Sequence, residues 1–336
     1  MDTVALREEM QKVIERSGDW TDHNIHIAGD LYTIGADVIS PRLRRIVQIV
    51  SDVSHESLAN LRILDLACLE GLYAVEFARQ GAQAVAIEGR EVNLEKVRFV
   101  RKALGLDNLA LHHDDVRNLS LEKYGEFDVV LCLGILYHLD APDVLHFVEN
   151  IGRVTRRFAV FDTYVSTASQ KLHTHGGKPY WGREVFEHDP EDSLEERLSL
   201  RWASLDNPKS FWLTRRSLYN LLLASGFTTV YECHVPAELN KPSDRVTLIA
   251  IKGQKPALLS TPKVNGLPVA DWPEDLKLRP SPEQDLRARI SKRLSHMVPA
   301  AVKRPVKAAL QSVGLLKKDP GPWRAEPRPP RKGEGA

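Results

Sequence analysis

Arg62-Ile-Leu-Asp-Leu-Ala-Cys-Leu-Glu-Gly71 decides the fold. A short apolar run carries an acid at its end, passes through a turn of mostly small residues, and leads into Leu72–Gln80, whose apolar spacing is helical. The same pattern repeats outward. Ala82–Glu88 reads as a strand and Glu91–Leu104 as a helix. Leu109–His113 is a strand followed by a short helix near Leu119–Tyr124. Phe127–Leu133 is a strand, Pro142–Arg153 a helix, and Arg157–Thr163 a fifth strand. Strands that are apolar throughout, separated by helices, predict a parallel sheet covered on both faces. Ligands of such sheets bind in the crevice at the carboxyl ends of the strands. Small turn residues let a backbone approach its ligand, and a helix N-terminus favours an anionic group there.

Acids fall at three of those strand ends. Asp65 closes the first. Glu88 closes the second, where a carboxylate can accept from both hydroxyls of a ribose. Asp114-Asp115-Val116 follows the third and can accept from an adenine amino group. The fourth strand runs into Leu133-Gly-Ile-Leu-Tyr-His-Leu-Asp140. Across roughly residues 60–252 this set resembles the class I S-adenosylmethionine (SAM)-dependent methyltransferases. The resemblance implies an α/β fold with a Rossmann-like, seven-stranded, doubly wound sheet. It implies SAM as cofactor, held by Asp65, Ala67, Cys68, Leu69, Gly71, Glu88, Gly89, Asp115, Val116 and Gly134. The family's first motif is an acid followed by three alternating glycines, and here Ala67 and Leu69 replace two of them. A leucine at that position predicts a backbone that avoids positive φ. The G-x-G-x-x-G of a dinucleotide-binding dehydrogenase is absent.

In this family the end of the fourth strand faces the transferring methyl group. Tyr137 and His138 are therefore the catalytic candidates, with His138 the general base because its ordinary pKa lies near neutrality. The alternative for His138 is a structural hydrogen-bonding role under the following helix. The string Leu133–Leu139, together with Ser217–Phe227 (SLYNLLLASGF), resembles the branch that includes tRNA wobble-uridine carboxymethyltransferases.

Two segments lie outside the alternation. Residues 165–212 form an insertion rich in His, Gly, Pro, Trp and charge, too long for a connector and placed to cover the crevice as a lid. Its Tyr180, Trp181, Arg183 and Glu184 are candidates for substrate contact. Before the sheet, Val4–Arg16 and Pro41–Val53 read as helices. Trp20–Gly35 reads as strands and turns and resembles the cap that closes over SAM, with His23 and His26 as further substrate candidates; the alternative is a surface hairpin. His173, His175 and Asp189 are a weak metal pattern, and no metal is expected. After the insertion come a helix at Thr214–Ser225 and strands at Thr228–Pro236 and Arg245–Lys252.

The organisation expected is a cap segment at 1–55, a methyltransferase domain at 56–253, and a linker at 254–284 lying over the surface. Two basic amphipathic helices follow at 285–318, then a disordered tail at 319–336. Residues 285–336 hold thirteen Lys/Arg and four acids, a net +9, against −8 on the rest. That tail suits an anionic membrane surface, packing on the protein's own domain, or nucleic acid, the last being disfavoured by the acidic body. Three scattered cysteines, the lack of a signal pattern at Met1-Asp2-Thr3-Val4 and the lack of a long apolar run fit a cytoplasmic protein, peripheral at the inner membrane face if the tail binds lipid. The expected activity is methyl transfer to an O, N or C atom of a small molecule or a glycan- or lipid-linked intermediate. The alternatives are an RNA-modifying transferase and a catalytically inactive SAM-fold module.

Overall fold

The computed structural model describes residues 2–274 except 190, 201 and 239–240. The expectations for 285–318 and 319–336 lie outside the described residues, as does the end of the linker. The chain opens with α1 (Thr3–Ser17), the hairpin β1 (His26–Ala28) and β2 (Leu31–Tyr32), and α2 (Pro41–Ser54). Alternation follows as expected: β3 (Arg62–Leu66), α3 (Leu72–Arg79), β4 (Gln83–Glu88), α4 (Glu91–Leu104), β5 (Leu109–His113) and the single-turn α5 (Leu121–Tyr124). Then come β6 (Phe127–Leu133), α6 (Asp143–Val154) and β7 (Thr155–Tyr164). The insertion contributes β8 (Lys171–His175), β9 (Lys178–Phe186), α7 (Leu194–Ser199) and β10 (Lys209–Leu213). The chain returns through α8 (Arg215–Ala224), β11 (Thr229–Glu232) and β12 (Arg245–Ile251).

The main sheet has seven strands in the order β11-β12-β7-β6-β3-β4-β5. The five from β7 to β5 are parallel, while β12 runs antiparallel to both its neighbours. Side-chain alternation along each strand assigns the two faces. Ile63, Val129, Leu131 and Val160 pack with Ile46, Ile49 and Val50 of α2 and with Tyr73 and Phe77 of α3. Leu64, Leu66, Val130, Cys132 and Phe161 pack the other way, against Val148 and Ile151 of α6 and Leu218 and Leu221 of α8. Burial on both faces is why these strands read as continuous apolar runs rather than as alternating ones.

The insertion is a three-stranded antiparallel sheet, β10-β9-β8. It is attached to the α6–α8 side through Tyr180, Phe211 and Leu213, which share that face's core. Gly182 sits where β9 and β10 meet most closely: a Cβ there would fall 2.2 Å from the Trp212 carbonyl oxygen. Residues 271–274 pack against α8 and the insertion. Trp272 exchanges backbone hydrogen bonds with the Asn220 side chain, and Glu274 accepts from the hydroxyls of Ser169, Thr214 and Ser217. Thr214 is the N-cap of α8, so residues 271–274 strap that helix to the insertion.

Candidate active site

A cleft of about 1070 Å³, counted to its open mouth, lies at the carboxyl ends of β3, β4 and β6. Asp65, Ala67, Cys68, Leu69, Glu88, Gly89, Asp115, Val116 and Gly134 all line it. Gly71 does not. It is the N-cap of α3 at φ 85°, and a Cβ there would strike Val97 at 2.8 Å, so it serves the turn and the packing beneath it.

The turn corrects the expectation for Leu69. Ala67 and Leu69 both adopt the left-handed conformation, at φ 52° and 51°. Hydrogen bonds from neighbouring elements impose it: Cys68 N donates to the Ile87 carbonyl (3.0 Å), Leu69 N to Glu88 Oε2 (2.8 Å), and Gly71 N to the Cys68 carbonyl (2.8 Å). Such conformations cost about 1–3 kcal/mol each outside glycine and persist only where the surroundings over-determine them.

The acids differ in how fully they are used. Glu88 Oε1 accepts from Arg90 N (2.9 Å) and Asn93 Nδ2 (3.3 Å), and burial holds its carboxyl above the usual range. Asp65 Oδ2 accepts one hydrogen bond, from Ala74 N at 3.1 Å. Burial, opposed by that bond and reinforced by the nearby Glu88 charge, pushes Asp65 up to about 7. Asp115 caps the turn Val116–Asn118 and is chelated by Arg117, whose guanidinium also binds Asp206 at 2.9 Å. Asp114 is turned outward to Lys123, Tyr124 and Asn118 and does not line the cleft.

Two arms close over this floor. The first is the cap. Glu70, in the turn itself, is fully buried and collects the backbone N–H groups of Thr21, Asp22 and His23 (2.9–3.2 Å), with Lys96 Nζ at 2.7 Å. His23 then lines the cleft and accepts Leu72 N on Nδ1 at 3.1 Å, and burial lowers its pKa. The second arm is the roof, residues 202–207 of the insertion. Arg90 holds it by donating to the carbonyls of Leu198 (2.5 Å), Leu200 (3.0 Å), Ala203 (3.2 Å) and Ser204 (3.1 Å).

Opposite the acids, the turn Leu136–His138 brings Tyr137 and His138 to the cleft wall. His138 Nδ1 lies 2.9 Å from Glu187 Oε2, and Glu187 also accepts Ser204 N at 3.0 Å. Burial acts to raise the Glu187 carboxyl, but its contacts with His138, Ser210 and Ser204 outweigh that and leave it low. Asn207 donates to the His138 carbonyl at 2.9 Å. Tyr137 is buried edge-on to Tyr164, at 5.0 Å between ring centroids, and burial raises its pKa well beyond the ordinary phenol. Arg42 from the start of α2 completes the wall; its buried Nε has no hydrogen-bond partner.

The other substrate candidates are not brought to the cleft. His26 stays on β1, with Nε2 2.9 Å from the Gly29 carbonyl oxygen. Tyr180 is a core residue of the insertion. Arg183 lies over the Trp212 ring (4.6 Å to its centroid), Glu184 pairs with Lys171 and Lys209, and Trp181 is taken up by Ser217 through its backbone. Of the insertion, residues 202–207 line the cleft, whereas the candidates marked by composition lie in its sheet. Nor do His173, His175 and Asp189 assemble: the His173 ring packs on Phe211, while His175 faces α6.

Residues 63–157 match the protein family described as "Methyltransferase domain". That stretch, from β3 to the start of β7, is similar to a methyltransferase domain. The crystal structure of the N-terminal domain of EvdMO1 with SAH bound is 26% identical, with TM-score 0.58 over 75% of this chain and 98% of that one. A second, of the same domain in the presence of SAH and D-fucose, is 25% identical with TM-score 0.57 over 74% and 97%. Among curated relatives, magnesium-protoporphyrin O-methyltransferase of Rhodobacter capsulatus is 30% identical over 115 residues, 34% of this chain and 49% of that protein. Ubiquinone biosynthesis O-methyltransferase of Acinetobacter baumannii (strain AYE) is 31% identical over 85 residues, 25% and 36%. The chain spans a third to a half of the length of these curated relatives. The fold is the one that these SAH-bound domains share.

Five groups at or behind the cleft carry no signal in the sequence pattern except one: Arg42, Glu70, Arg90, Arg117 and Glu187. Glu70 did carry a signal, being an acid inside a turn of small residues where a ligand anion is expected, and its charge needed a buried partner.

Proposed function

We propose that the protein is a SAM-dependent O-methyltransferase acting on a hydroxyl of a small, polar acceptor, with His138 as general base positioned by Glu187. The contact of His138 Nδ1 with Glu187 Oε2 at 2.9 Å, on the cleft wall opposite the three acids, carries the reading. Engaged on Nδ1, the imidazole keeps Nε2 for the acceptor hydroxyl, and the carboxylate supports the imidazolium that forms.

The cleft suits the cofactor. Glu88 would accept from the ribose hydroxyls, Gly89 and Val116 would hold the adenine, and Asp115 with its partner Arg117 would close that end; all five line the cleft. Asp65, buried with one hydrogen bond, suits the cationic methionine end, and Arg42 with its unpartnered Nε suits a carboxylate. Gly134 at φ 93° leaves open space, since a Cβ there would meet only the Tyr137 hydroxyl at 3.8 Å. SAM supplies an electrophilic methyl on sulfur, so the protein's part is to orient the acceptor, exclude water and take a proton.

A polar acceptor is favoured by the wall, where Asp22, Arg42, Asp206 and Asn207 stand among Tyr137 and Trp202. The O-methyltransferase relatives support an oxygen acceptor, and the D-fucose of the EvdMO1 crystals supports a sugar or polyol hydroxyl, free or carrier-linked. The RNA alternative rests on the strings Leu133–Leu139 and Ser217–Phe227 and on a 30% likeness over 105 residues to a 23S rRNA (uracil(1939)-C(5))-methyltransferase, of which only 22% is covered.

The test is titration with SAM, then transfer of labelled methyl to panels of sugars, glycosides, phenols and bulk tRNA. Glu88→Ala should abolish cofactor binding. His138→Gln should leave it intact and lower kcat by about 10²–10⁴. Failure of the wild type to bind SAM would overturn the reading, full activity of His138→Gln would remove the base, and tRNA as sole acceptor would reverse the substrate class.

A further inference from the structure

Among the described residues one group of metal-type ligands converges: His146, Glu149 and His175. None of them lines the cleft. His146 and Glu149 stand one turn apart on α6 and so share a face. His175 is the last residue of β8, directly before the Gly176-Gly177 turn into β9. Their ligand atoms all lie within 4.8 Å of one another. The Glu149 carboxylate stands between the rings, with Oε1 2.9 Å from His175 Nε2 and Oε2 4.0 Å from His146 Nδ1. The imidazoles are perpendicular, at 89° with centroids 4.7 Å apart. His175 Nε2 is covered from solvent, yet its contact with Glu149 lies off the direction of a hydrogen bond. Covered polar atoms are rarely left so without a partner.

We propose that His146, Glu149 and His175 bind a divalent ion of the Zn²⁺ class and clip the insertion's hairpin to α6. Two imidazoles and one carboxylate suit Zn²⁺, Co²⁺ or Ni²⁺ and do not suit Mg²⁺ or Ca²⁺, which take oxygen ligands. Bonds of about 2.0–2.2 Å put neighbouring ligand atoms roughly 3.3 Å apart, so on loading His146 closes toward the other two, which already stand within that reach. His146, 58% exposed, lies on the open side, where water completes the coordination. The ion joins two parts of the fold that are far apart in sequence, and it takes no part in methyl transfer.

The test uses the full chain, stripped with chelator and titrated with Zn²⁺ by calorimetry and with Co²⁺ by visible absorption. One equivalent should bind, with the d–d bands of a low-coordinate Co²⁺ site, and Zn²⁺ but not Mg²⁺ should raise the melting temperature. His146→Ala, Glu149→Gln and His175→Ala should each weaken binding at least about tenfold. SAM titration of each variant confirms that it is folded. Because His146 is exposed on a helix, its variant remains informative if His175→Ala fails to fold. No stoichiometric binding to the wild type, or binding that survives His146→Ala unchanged, would overturn the proposal.

Discussion

The cap and the roof close on one cleft by opposite chemistry. The cap offers its N–H groups to a buried carboxylate, Glu70; the roof offers its carbonyls to a buried guanidinium, Arg90. Both anchors sit on the cofactor side of the sheet, one in the turn after β3 and the other directly after Glu88-Gly89. The carboxylate needs a counter-charge and has Lys96, fully buried beside it. The guanidinium spreads its charge over several carbonyl oxygens. One tie can therefore be undone by a proton, and the other cannot, since arginine does not titrate in the accessible range.

The largest effect belongs to the cap. Glu70→Ala leaves Lys96 buried without its partner and should cost about 3–5 kcal/mol in denaturant unfolding, with hydrogen-exchange protection lost at 21–23. A loss under 1 kcal/mol would show that the cap is held by packing alone. In the wild type, burial acts to raise the Glu70 carboxyl, but the charges and hydrogen bonds of Lys96, His23 and the cap amides hold it below the ordinary value of 4.5. Its contribution is then full above about 4.5 and is lost as pH falls through the lower folded value. Amides 21–23 should deprotect in acid before that of Ala203, which is bonded to the Leu200 carbonyl and not, like Ser204, to a carboxylate; simultaneous deprotection would erase the contrast.

Arg90→Met should release the roof at a cost of about 1.5–3 kcal/mol, the range for hydrogen bonds to a charged group. Protection should fall at 198–204 and hold at 21–23. A drop at both would mean that the arms are coupled.

Asp65 sharpens the floor beneath them. Its folded pKa, about 7, is raised from 3.8, so its ionisation reduces stability as pH rises from about 4 to 7. A cationic ligand end favours the ionised form. SAM binding near pH 6 should therefore release close to one proton, seen as a buffer-dependent calorimetric enthalpy, with affinity rising up to about tenfold per pH unit. Asp65→Asn should abolish the release; an unchanged release would move the proton elsewhere.

The smallest effect concerns the turn. Ala67→Gly and Leu69→Gly relieve positive φ but loosen the unfolded chain, so each should change stability by no more than about 1 kcal/mol. A loss above 2 kcal/mol in either would mean that the side chain, not the backbone, holds the turn.

The sheet was legible because its strands are buried on both faces and leave long apolar runs, and because Asp65, Glu88 and Asp115 stand at strand ends. Leu69 was misjudged because propensity is local, whereas the bonds that set its φ come from β4. Glu187, Arg90 and the roof were hidden for a related reason. Glu187 meets His138 across 49 residues and Arg90 meets Leu198 across 108, with no periodicity to connect them. Tyr180 and Trp181 looked like recognition groups by residue type, but strand pairing makes them part of the scaffold that carries Glu187 to His138.

The strap at 271–274 bears on where this molecule can be divided. A cut at the last strand, near residue 253, would look clean in any alignment of strands and helices. It would remove the Glu274 carboxylate from the N-cap of α8 and the bonds of Trp272 to Asn220. It would also strand three hydroxyls that now share one acceptor. The cooperative unit therefore extends at least to residue 274, and a fragment ended earlier should melt lower while keeping every element of the sheet.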